Sequence, residues 1–321
     1  MRDCTKYQYI IQTEVTMYDL IIIGSGPAGL SAAVYGKRAG LNLLVIEEKP
    51  MSGGQVLNTY EVDNYLGMPG VGGFDMGMKF KEHADAVGTE YKTASVTAIR
   101  DEGSVKIVET ADGTSYEAKT LILATGAEHA ALGVPGEEEY RGKGVSYCAT
   151  CDGAFFRQKD VAVVGGGDVA VEDAVYLARM CRKVYLIHRR DSLRAAKGLQ
   201  EKLMGCDNVE ILWSRTVQNI HGSGLVEGVK LSHVTEQTEE DLAVDGVFIA
   251  VGMHPNTQAF RNTVPCDEQG YVKAGEDCIT DVEGIFAAGD LRTKQVRQII
   301  TAVADGACAV ASAERYLSTL N

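Results

Sequence analysis

The chain carries one segment twice, and this repeat limits the folds that are open to it. Residues 19–48 (DLIIIGSGPAGLSAAVYGKRAGLNLLVIEE) and residues 160–189 (DVAVVGGGDVAVEDAVYLARMCRKVYLIHR) align without a gap, 141 positions apart. Each copy begins with a short apolar run, passes through a glycine turn and a helical pattern, and ends in a second apolar run. A strand, turn, helix and strand in this order predict one βαβ unit per copy.

Both glycine turns stand in the context that a dinucleotide-binding turn requires. GSGPAG at residues 24–29 and GGGDVA at residues 165–170 each follow a strand pattern and open a helix pattern. Such glycines permit a tight turn, and the helix N-terminus that follows offers free N–H groups to a pyrophosphate. One motif of this kind is weak evidence, but two copies in register argue against coincidence. The sequence therefore predicts an α/β fold with two Rossmann-like dinucleotide-binding domains.

The two copies differ at the end of their second strand. Copy one has Glu47 and Glu48 there, and a carboxylate at this place accepts hydrogen bonds from a ribose diol and repels a 2′-phosphate. Copy two has His188-Arg189-Arg190 with Arg194 close behind, and guanidinium groups suit a 2′-phosphate. We expect FAD or NAD in the first domain and NADP in the second. The alternative for the arginines is a solvated basic face.

Later segments predict how the two domains are connected. Residues 120–127 (TLILATGA) and 246–253 (GVFIAVGM) are apolar strands that each return beneath a dinucleotide, and residues 284–290 (GIFAAGD) form a further strand before a helix at 296–317. The second domain is thus predicted to be inserted into the first. We expect boundaries at 17–132 and 261–321 for the first domain and at 133–260 for the second. Residues 1–16 precede the pattern, as an N-terminal extension or as an ordinary extra strand.

A CxxC motif is the candidate redox centre. Cys148 and Cys151 are close enough in sequence to form a reducible disulfide, and Asp152 beside them could move protons during exchange. The alternatives are half of a metal site or two ordinary buried cysteines. The motif lies 14 residues before Gly165, so we expect it in the second domain. The nicotinamide and the disulfide would then share one domain, and rotation about hinges near 131–135 and 254–265 would bring each in turn to the flavin.

Composition excludes several classes of protein. A net charge of −13 argues against nucleic acid or an anionic membrane as the main partner. No run of 18 apolar residues predicts a membrane span, and the first 16 residues lack a signal-peptide core. The eight cysteines show neither a secreted disulfide framework nor paired zinc-ligand spacing, so we expect no metal and a cytoplasmic location.

Together these motifs resemble the low-molecular-weight thioredoxin reductases of bacteria. The resemblance rests on GSGPAG at 24–29, GGQ at 53–55, CATCDG at 148–153, GGGDVA at 165–170 and HRRDSLR at 188–194, and it spans residues 17–321. It implies that NADPH reduces FAD, that FAD reduces the disulfide of Cys148 and Cys151, and that the pair reduces thioredoxin. It also implies a homodimer.

The resemblance also implies site residues. Cys151 would lie next to the flavin, Cys148 would attack thioredoxin, and Asp152 would be the acid or base. The residues expected to hold FAD are Gly24, Ser25, Gly26, Pro27, Ala28, Glu47, Glu48, Gly54, Gln55, Asn64, Thr125, Gly126, Gly289, Asp290, Arg297 and Gln298. The residues expected to hold NADPH are Gly165, Gly166, Gly167, Asp168, Val169, His188, Arg189, Arg190 and Arg194.

Two other functions stay open on the sequence alone. One is an NADPH-dependent flavoprotein that reduces a different disulfide, such as that of a small thiol or a glutaredoxin-like carrier. This alternative stays open because no motif in the sequence identifies the electron acceptor. The other is a non-catalytic flavin-bound redox sensor that binds a partner when the cysteine pair changes state. Sustained turnover with NADPH distinguishes an enzyme from such a sensor.

Overall fold

The computed structural model describes residues 16–59, 62 and 64–320. The predicted N-terminal extension, apart from Thr16, lies outside the described residues. The strands are β1 Met17–Ile23, β2 Leu43–Glu47, β3 Glu90–Thr93, β4 Val96–Asp101, β5 Lys106–Thr110, β6 Ser115–Leu123, β7 Ala127–His129, β8 Val145–Ser146, β9 Asp160–Gly165, β10 Lys183–His188, β11 Val209–Trp213, β12 Arg215–Gly222, β13 Val226–His233, β14 Glu239–Ala243, β15 Gly246–Ala250, β16 Met253–Pro255 and β17 Ile285–Ala287. The helices are α1 Pro27–Arg38, α2 Gly73–Ala86, α3 Ala149–Asp152, α4 Asp168–Ala178, α5 Lys197–Met204 and α6 Ile299–Thr319, and two 3-10 helices span Gly54–Asn58 and Gly153–Phe156.

The first copy of the repeat forms the centre of a mixed sheet. Its order is β3-β2-β1-β6-β5-β4, with β17 also paired to β6. The strands β3, β2, β1, β6 and β17 are parallel, and β5 and β4 continue the sheet with antiparallel pairing. Leu20 and Ile22 of β1 face the helices α1 and α6, whereas Ile21 and Ile23 pack on the opposite side. Burial on both faces explains the unbroken apolar run of this strand. We call this part, residues 16–126 and 256–320, the outer unit.

The second copy forms a separate, wholly parallel sheet of order β11-β10-β9-β15-β8. Val161 and Val163 pack against α4 on one face, and Ala162 and Val164 pack against the antiparallel sheet of β12, β13 and β14 on the other. All these strands lie between β6 and β17 in the chain. The predicted α/β class, with one dinucleotide-binding unit inserted into another, is confirmed. We call residues 130–252 the inserted unit.

The two crossings between the units pair with each other. β7 and β16 form a two-stranded antiparallel ribbon in which His129 lies opposite Met253 and Ala127 opposite Pro255. Thr125 Oγ1 donates to the carbonyl of Asn256 at 2.6 Å, at the outer end of the ribbon. The first crossing, at 127–129, ends two residues before the predicted hinge at 131–135, and the second, at 253–255, overlaps the predicted hinge at 254–265.

The helices α1 and α6 approach closely in the outer unit. A Cβ on Gly306 would lie 2.2 Å from the carbonyl oxygen of Ala28, so only glycine fits there. Ser31 Oγ of α1 also donates to the carbonyl of Val303 at 2.7 Å. The predicted helix after the last strand is therefore present, and it packs on the helix that follows the first glycine turn. Among the described residues, no helix has the length and apolar character of a membrane span.

A buried ion network ties α6 to the end of β17. Asp305 accepts two hydrogen bonds from Arg292, at 2.9 and 2.7 Å, one from Lys294 at 2.9 Å and one from the N–H of Gly289 at 2.8 Å. Arg292 is 1% exposed. Burial alone raises the pKa of Asp305, but Arg292 and Lys294 outweigh it and hold that pKa below its usual value. The carboxylate therefore stabilises the fold at neutral pH, and this contribution is lost as the pH falls through the lowered pKa.

We expect the substitution Asp305→Ala to lower the free energy of unfolding by about 3–5 kcal/mol, because it leaves two buried cations without their carboxylate. Denaturant unfolding of the flavin-loaded protein at neutral pH measures this loss. The matched control is Glu276→Gln, since Glu276 also pairs with Arg292, at 3.5 Å, but its side chain is 94% exposed. The control is expected to cost less than about 1 kcal/mol. Equal losses in the two variants would contradict the assignment.

Candidate active site

The first glycine turn brings the start of α1 against the end of β6. Gly24 has φ +103°, and a Cβ there would lie 2.5 Å from the carbonyl oxygen of Ala124. A Cβ on Gly29 would lie 1.9 Å from the carbonyl oxygen of Gly24. No side chain fits at either position, so the glycines that the sequence motif contains are required by close backbone contact.

The N-terminus of α1 is open to a ligand. Gly26 is the N-cap residue and no side chain caps the first turn, while Pro27 begins the helix and Ala28 is buried beneath it. Gly54 faces the turn, since a Cβ on Gly54 would lie 3.1 Å from the Cα of Gly26. The first N–H groups of a helix need partners, and the positive end of its dipole favours an anion. This loop pair can therefore hold a pyrophosphate.

The two glutamates after β2 differ in their surroundings. Glu47 Oε2 accepts hydrogen bonds from the N–H of Ser25 at 2.7 Å and from its hydroxyl at 2.8 Å, and Oε1 accepts from the N–H of Lys49 at 2.9 Å. Glu47 is thus held at the glycine turn, where a ribose would lie. Glu48, one residue past the end of β2, is exposed.

Asp290, three residues after the end of β17, has a buried carboxylate oxygen that has no hydrogen-bond partner among the described residues. Its Oδ1 makes no hydrogen bond, and the nearest cation, Nζ of Lys294, is 4.0 Å away. Burial raises the pKa of Asp290. Buried polar atoms are almost always paired, so this oxygen can accept a hydrogen bond from a ligand hydroxyl. Gly289 before it packs on Ala28, because a Cβ on Gly289 would lie 3.0 Å from the Cβ of Ala28.

Three further predicted residues gather near the start of α6, and three more lie at the ribbon. Gln298 is the N-cap residue of α6, and Asn64 Nδ2 donates to its Oε1 at 2.9 Å. Arg297 stacks over the ring of Tyr271, with 4.2 Å between the guanidinium carbon and the ring centroid. Gln55 Nε2 donates to the carbonyl of Ala127 in the ribbon. Thr125 and Gly126 lie at the outer end of the same ribbon.

The second glycine turn repeats the first. A Cβ on Gly165 would lie 2.4 Å from the carbonyl oxygen of Ala250, and nothing lies within 4 Å of one on Gly167. Gly167 is the N-cap residue of α4, again without a capping side chain. Asp168 Oδ1 accepts a hydrogen bond from the N–H of Ala196 at 2.8 Å, and Val169 is 61% exposed. The open helix N-terminus fits a second pyrophosphate.

The loop after β10 presents three arginines to solvent. Arg189, Arg190 and Arg194 are exposed, and the N–H of Arg194 donates to the carbonyl of Gly166 at 2.8 Å. The loop is thereby joined to the glycine turn. Among the described residues, the three guanidinium groups have no hydrogen-bond or ion-pair partner, so they can donate hydrogen bonds to a phosphate.

His188 lies inward, unlike the arginines that follow it. Its ring is 5% exposed and packs so closely on Gly166 that a Cβ there would lie 2.2 Å from the ring. His188 Nε2 is 3.0 Å from the carbonyl of Ser192. Burial lowers the pKa of His188, which favours the neutral ring. The histidine therefore packs against the glycine turn at Gly166 and contacts the arginine loop at Ser192.

Cys148 and Cys151 form a disulfide in the inserted unit. Cys148 is the N-cap residue of α3, and the strand before it, β8, pairs with β15 of the inserted sheet. Asp152 Oδ2 accepts a hydrogen bond from the hydroxyl of Ser146 at 2.5 Å, while its Oδ1 is buried without a partner. Burial raises the pKa of Asp152. The carboxyl group thus retains a proton to higher pH than an exposed aspartate does, as a proton donor beside a disulfide requires.

Sequence reasoning missed Ser146 and the network around Asp305. Ser146 Oγ donates to Asp152 and also accepts from the N–H of Cys148 at 3.1 Å. No motif marks a serine two residues before a CxxC, so the sequence carried no signal for it. Within the described residues, no group of three or more potential metal ligands occurs. The cysteines at 181, 206, 266, 278 and 308 are free thiols.

The residues present fit FAD in the outer unit and NADPH in the inserted unit. The unpaired oxygen of Asp290 and the uncapped start of α1 need a ligand with hydroxyl and phosphate groups. The uncapped start of α4 with three free guanidinium groups needs a ligand with more negative charge. FAD carries a ribitol, a pyrophosphate and a free ribose, and NADPH carries the additional 2′-phosphate.

Comparisons with known proteins agree with this chemistry. Residues 18–306 match the family of pyridine nucleotide-disulphide oxidoreductases. The thioredoxin reductase of Bacillus subtilis is 46% identical over 309 residues, which is 96% of this chain and 97% of the relative. The crystal structure of thioredoxin reductase from Streptococcus pyogenes fits with a TM-score of 0.90 at 45% identity, covering 94% of this chain and 99% of that one.

A further solved structure fits less closely. Lactococcus lactis thioredoxin reductase in the "FR conformation" is 40% identical and covers the same 94% of this chain and 99% of its own, but its TM-score is 0.65. The members of this group contain FAD and depend on NADPH, in agreement with the two cofactors expected from the sequence. The match over nearly the whole length, with both glycine turns and the disulfide in place, assigns the chain to the thioredoxin reductases of the pyridine nucleotide-disulphide oxidoreductase family.

Proposed function

We propose that the chain passes electrons from NADPH through FAD to the disulfide of Cys148 and Cys151, and from there to oxidised thioredoxin. The observation that carries the proposal is that three features occur together in one chain. A disulfide lies beside Asp152, whose pKa burial raises. Two uncapped helix starts follow glycine turns, one with glutamates nearby and the other with arginines nearby. The names of the relatives support thioredoxin as the acceptor.

We assign FAD to the outer unit. Glu47, held by Ser25, receives the ribose, and Asp290 receives a ribitol hydroxyl with its unpaired oxygen. The start of α6 at Gln298 presents its positive end to the flavin ring, where it favours the negatively charged reduced form. The other residues of this proposed site are Gly24, Gly26, Pro27, Ala28, Glu48, Gly54, Gln55, Asn64, Thr125, Gly126, Gly289 and Arg297.

We assign NADPH to the inserted unit. Arg189, Arg190 and Arg194 bind the 2′-phosphate, and the start of α4 binds the pyrophosphate. His188 acts on this site through the glycine turn that its ring supports. The other residues of this proposed site are Gly165, Gly166, Gly167, Asp168 and Val169.

The cysteine pair and Asp152 carry the thiol chemistry. Bound FAD supplies two electrons, which open the disulfide with Cys151 on the flavin side. The Cys148 thiolate would then attack one sulfur of thioredoxin, and the sulfur that leaves would take a proton from Asp152. The Cys151 thiolate would attack Cys148 Sγ in the mixed disulfide, which restores the original bond and releases the second sulfur of thioredoxin as a thiolate. This sulfur and Asp152 would each take up a proton from water.

We propose that the inserted unit turns about the ribbon of β7 and β16 during each cycle. The inserted unit holds both the proposed NADPH site and the disulfide, so the two must exchange places at the flavin. The TM-scores of 0.90 and 0.65 for two relatives of similar identity are consistent with two arrangements of the units. We keep 133–260 as the proposed NADPH-binding domain and 17–132 with 261–321 as the proposed FAD-binding domain.

We also propose a homodimer that works in the cytoplasm. The free thiols of the described residues suit a reducing compartment, and the homodimer rests on the family resemblance. Sedimentation of the flavin-loaded protein tests the homodimer, because a monomer has half the expected mass.

We expect NADPH oxidation with oxidised thioredoxin to proceed in the purified protein and to vanish in Cys148→Ser and Cys151→Ser, while NADPH still bleaches the flavin in both. The bleaching serves as the internal control for folding and for cofactor loading. Turnover with another disulfide but none with thioredoxin would support the first alternative function. A flavin that NADPH bleaches without turnover on any disulfide would support the redox sensor instead.

We expect Arg189→Gln, and likewise Arg190→Gln, to raise the KM for NADPH by about tenfold or more and to leave the KM for NADH nearly unchanged. The reason is the loss of a charge-assisted hydrogen bond to a phosphate that NADH lacks. Arg179→Gln is the matched control, because Arg179 is an exposed arginine of the same unit at the far end of α4. Equal losses for both nucleotides would argue against a 2′-phosphate site.

We expect Asp152→Asn to slow thioredoxin reduction by about 10²-fold, because the leaving thiolate loses its proton donor. The rate of the native protein should fall as the pH rises through the raised pKa of Asp152. Ser146→Ala removes a hydrogen bond that lowers this pKa, so the fall should move to higher pH. The pH profile of thioredoxin reduction tests both expectations. If the fall in rate occurred at the same pH in Ser146→Ala as in the native protein, it would not be due to Asp152.

A further inference from the structure

A hydrogen bond joins the redox loop of the inserted unit to the outer unit. Gln298 Nε2, at the start of α6, donates to the hydroxyl of Thr150 at 3.2 Å. Thr150 stands between the two cysteines of the CxxC motif and is exposed. Among side chains of the described residues, this is the one hydrogen bond that links the two units away from the ribbon and its ends.

The orientation of the Gln298 amide is set by its other partners. Its oxygen accepts from Asn64 Nδ2 at 2.9 Å. A donor on the oxygen leaves the amide nitrogen as the atom that meets Thr150. The Thr150 oxygen therefore accepts, and its own hydrogen is free to point to Cys148 Sγ, 3.5 Å away. The contact is a directed chain from Asn64 to the redox sulfur.

The contact lies at one side of a cleft of about 320 Å³, between Thr150 and the residues Val296, Ile299 and Ile300 of the outer unit. Val296 and Ile300 are 55% and 45% exposed. The hydrogen bond is the directional contact that joins the redox loop to this part of the outer unit.

We propose that Gln298 and Thr150 form a latch that sets how much of the protein adopts the arrangement with the disulfide against the outer unit. Both are positioning residues, and Asn64 holds the latch in its donating orientation. The inference rests on the proposed turning of the inserted unit, because the latch must open before the NADPH site can reach the flavin. Loss of the bond favours the open arrangement by about two- to tenfold, as expected for one net hydrogen bond.

The chain offers a built-in probe of the arrangement. Trp213, at the end of β11 in the inserted unit, is the one tryptophan of the sequence. Energy transfer from Trp213 to the flavin depends on the distance between the two units. The experiment compares the oxidised, flavin-loaded native protein with Thr150→Val and with Thr150→Ser, without NADPH. Thr150→Val removes the hydroxyl at nearly constant volume, and Thr150→Ser keeps it.

We expect a changed energy transfer in Thr150→Val and native transfer in Thr150→Ser. Rapid mixing with NADPH should give a fast phase of flavin bleaching with a larger amplitude in Thr150→Val than in the native protein. The ratio of open to latched protein calculated from these amplitudes should rise by about two- to tenfold. Native transfer and a native fast phase in Thr150→Val would overturn the latch.

A second variant separates the latch from local effects on the cysteines. In Gln298→Leu the partner of Thr150 is already absent, so adding Thr150→Val should change the energy transfer no further. Additive changes in the double variant would overturn the proposal, because they mean that Thr150 acts without Gln298. If NADPH fails to bleach the native flavin, the proposed function fails, while the energy transfer in oxidised protein still decides the latch.

Discussion

Both nucleotide sites depend on one steric constraint, the contact of a glycine with the carbonyl at the end of the neighbouring strand. Gly24 would clash with Ala124, and Gly165 with Ala250, if either carried a side chain. In each unit this contact lets the helix start directly above the ends of two parallel strands. The carboxyl ends of other strands lie beside the same helix start, so Glu47 bonds to Ser25 and Gly289, next to Asp290, packs on Ala28 in one unit, while the arginine loop bonds to Gly166 in the other.

The two acids near the end of β17 show how the fold separates support from binding. Asp305 accepts four hydrogen bonds from Gly289, Arg292 and Lys294, so it has no capacity for a ligand. Asp290, next to Gly289, has a partly exposed side chain with one buried oxygen that has no hydrogen-bond partner among the described residues. Asp305 fixes the backbone of Gly289, the residue before Asp290. The helix α6 carries Asp305, and its N-cap residue Gln298 contacts the redox loop at Thr150.

The sequence alone predicted the features that depend on local pattern. The repeat predicted two βαβ units, the interruption between residues 127 and 253 predicted the insertion, and the spacing of Cys148 and Cys151 predicted their disulfide. What depends on contacts between distant residues was not predictable. The pairing of β7 with β16, the inward side chain of His188, and the bond from Ser146 to Asp152 follow from packing that no short motif encodes.

The proposed cycle limits how strongly the redox loop can bind the outer unit. One unit holds the proposed electron donor site and the disulfide, so neither arrangement at the flavin can be much more stable than the other. A large apolar interface would hold one arrangement and stop the cycle, since a bias of about 5.5 kcal/mol already changes a population from 1:99 to 99:1. The contacts between the units that the proposed turning would break or keep are a narrow ribbon and one hydrogen bond at Thr150. The buried ion network around Asp305 and the close backbone contacts at the glycine turns lie within the units.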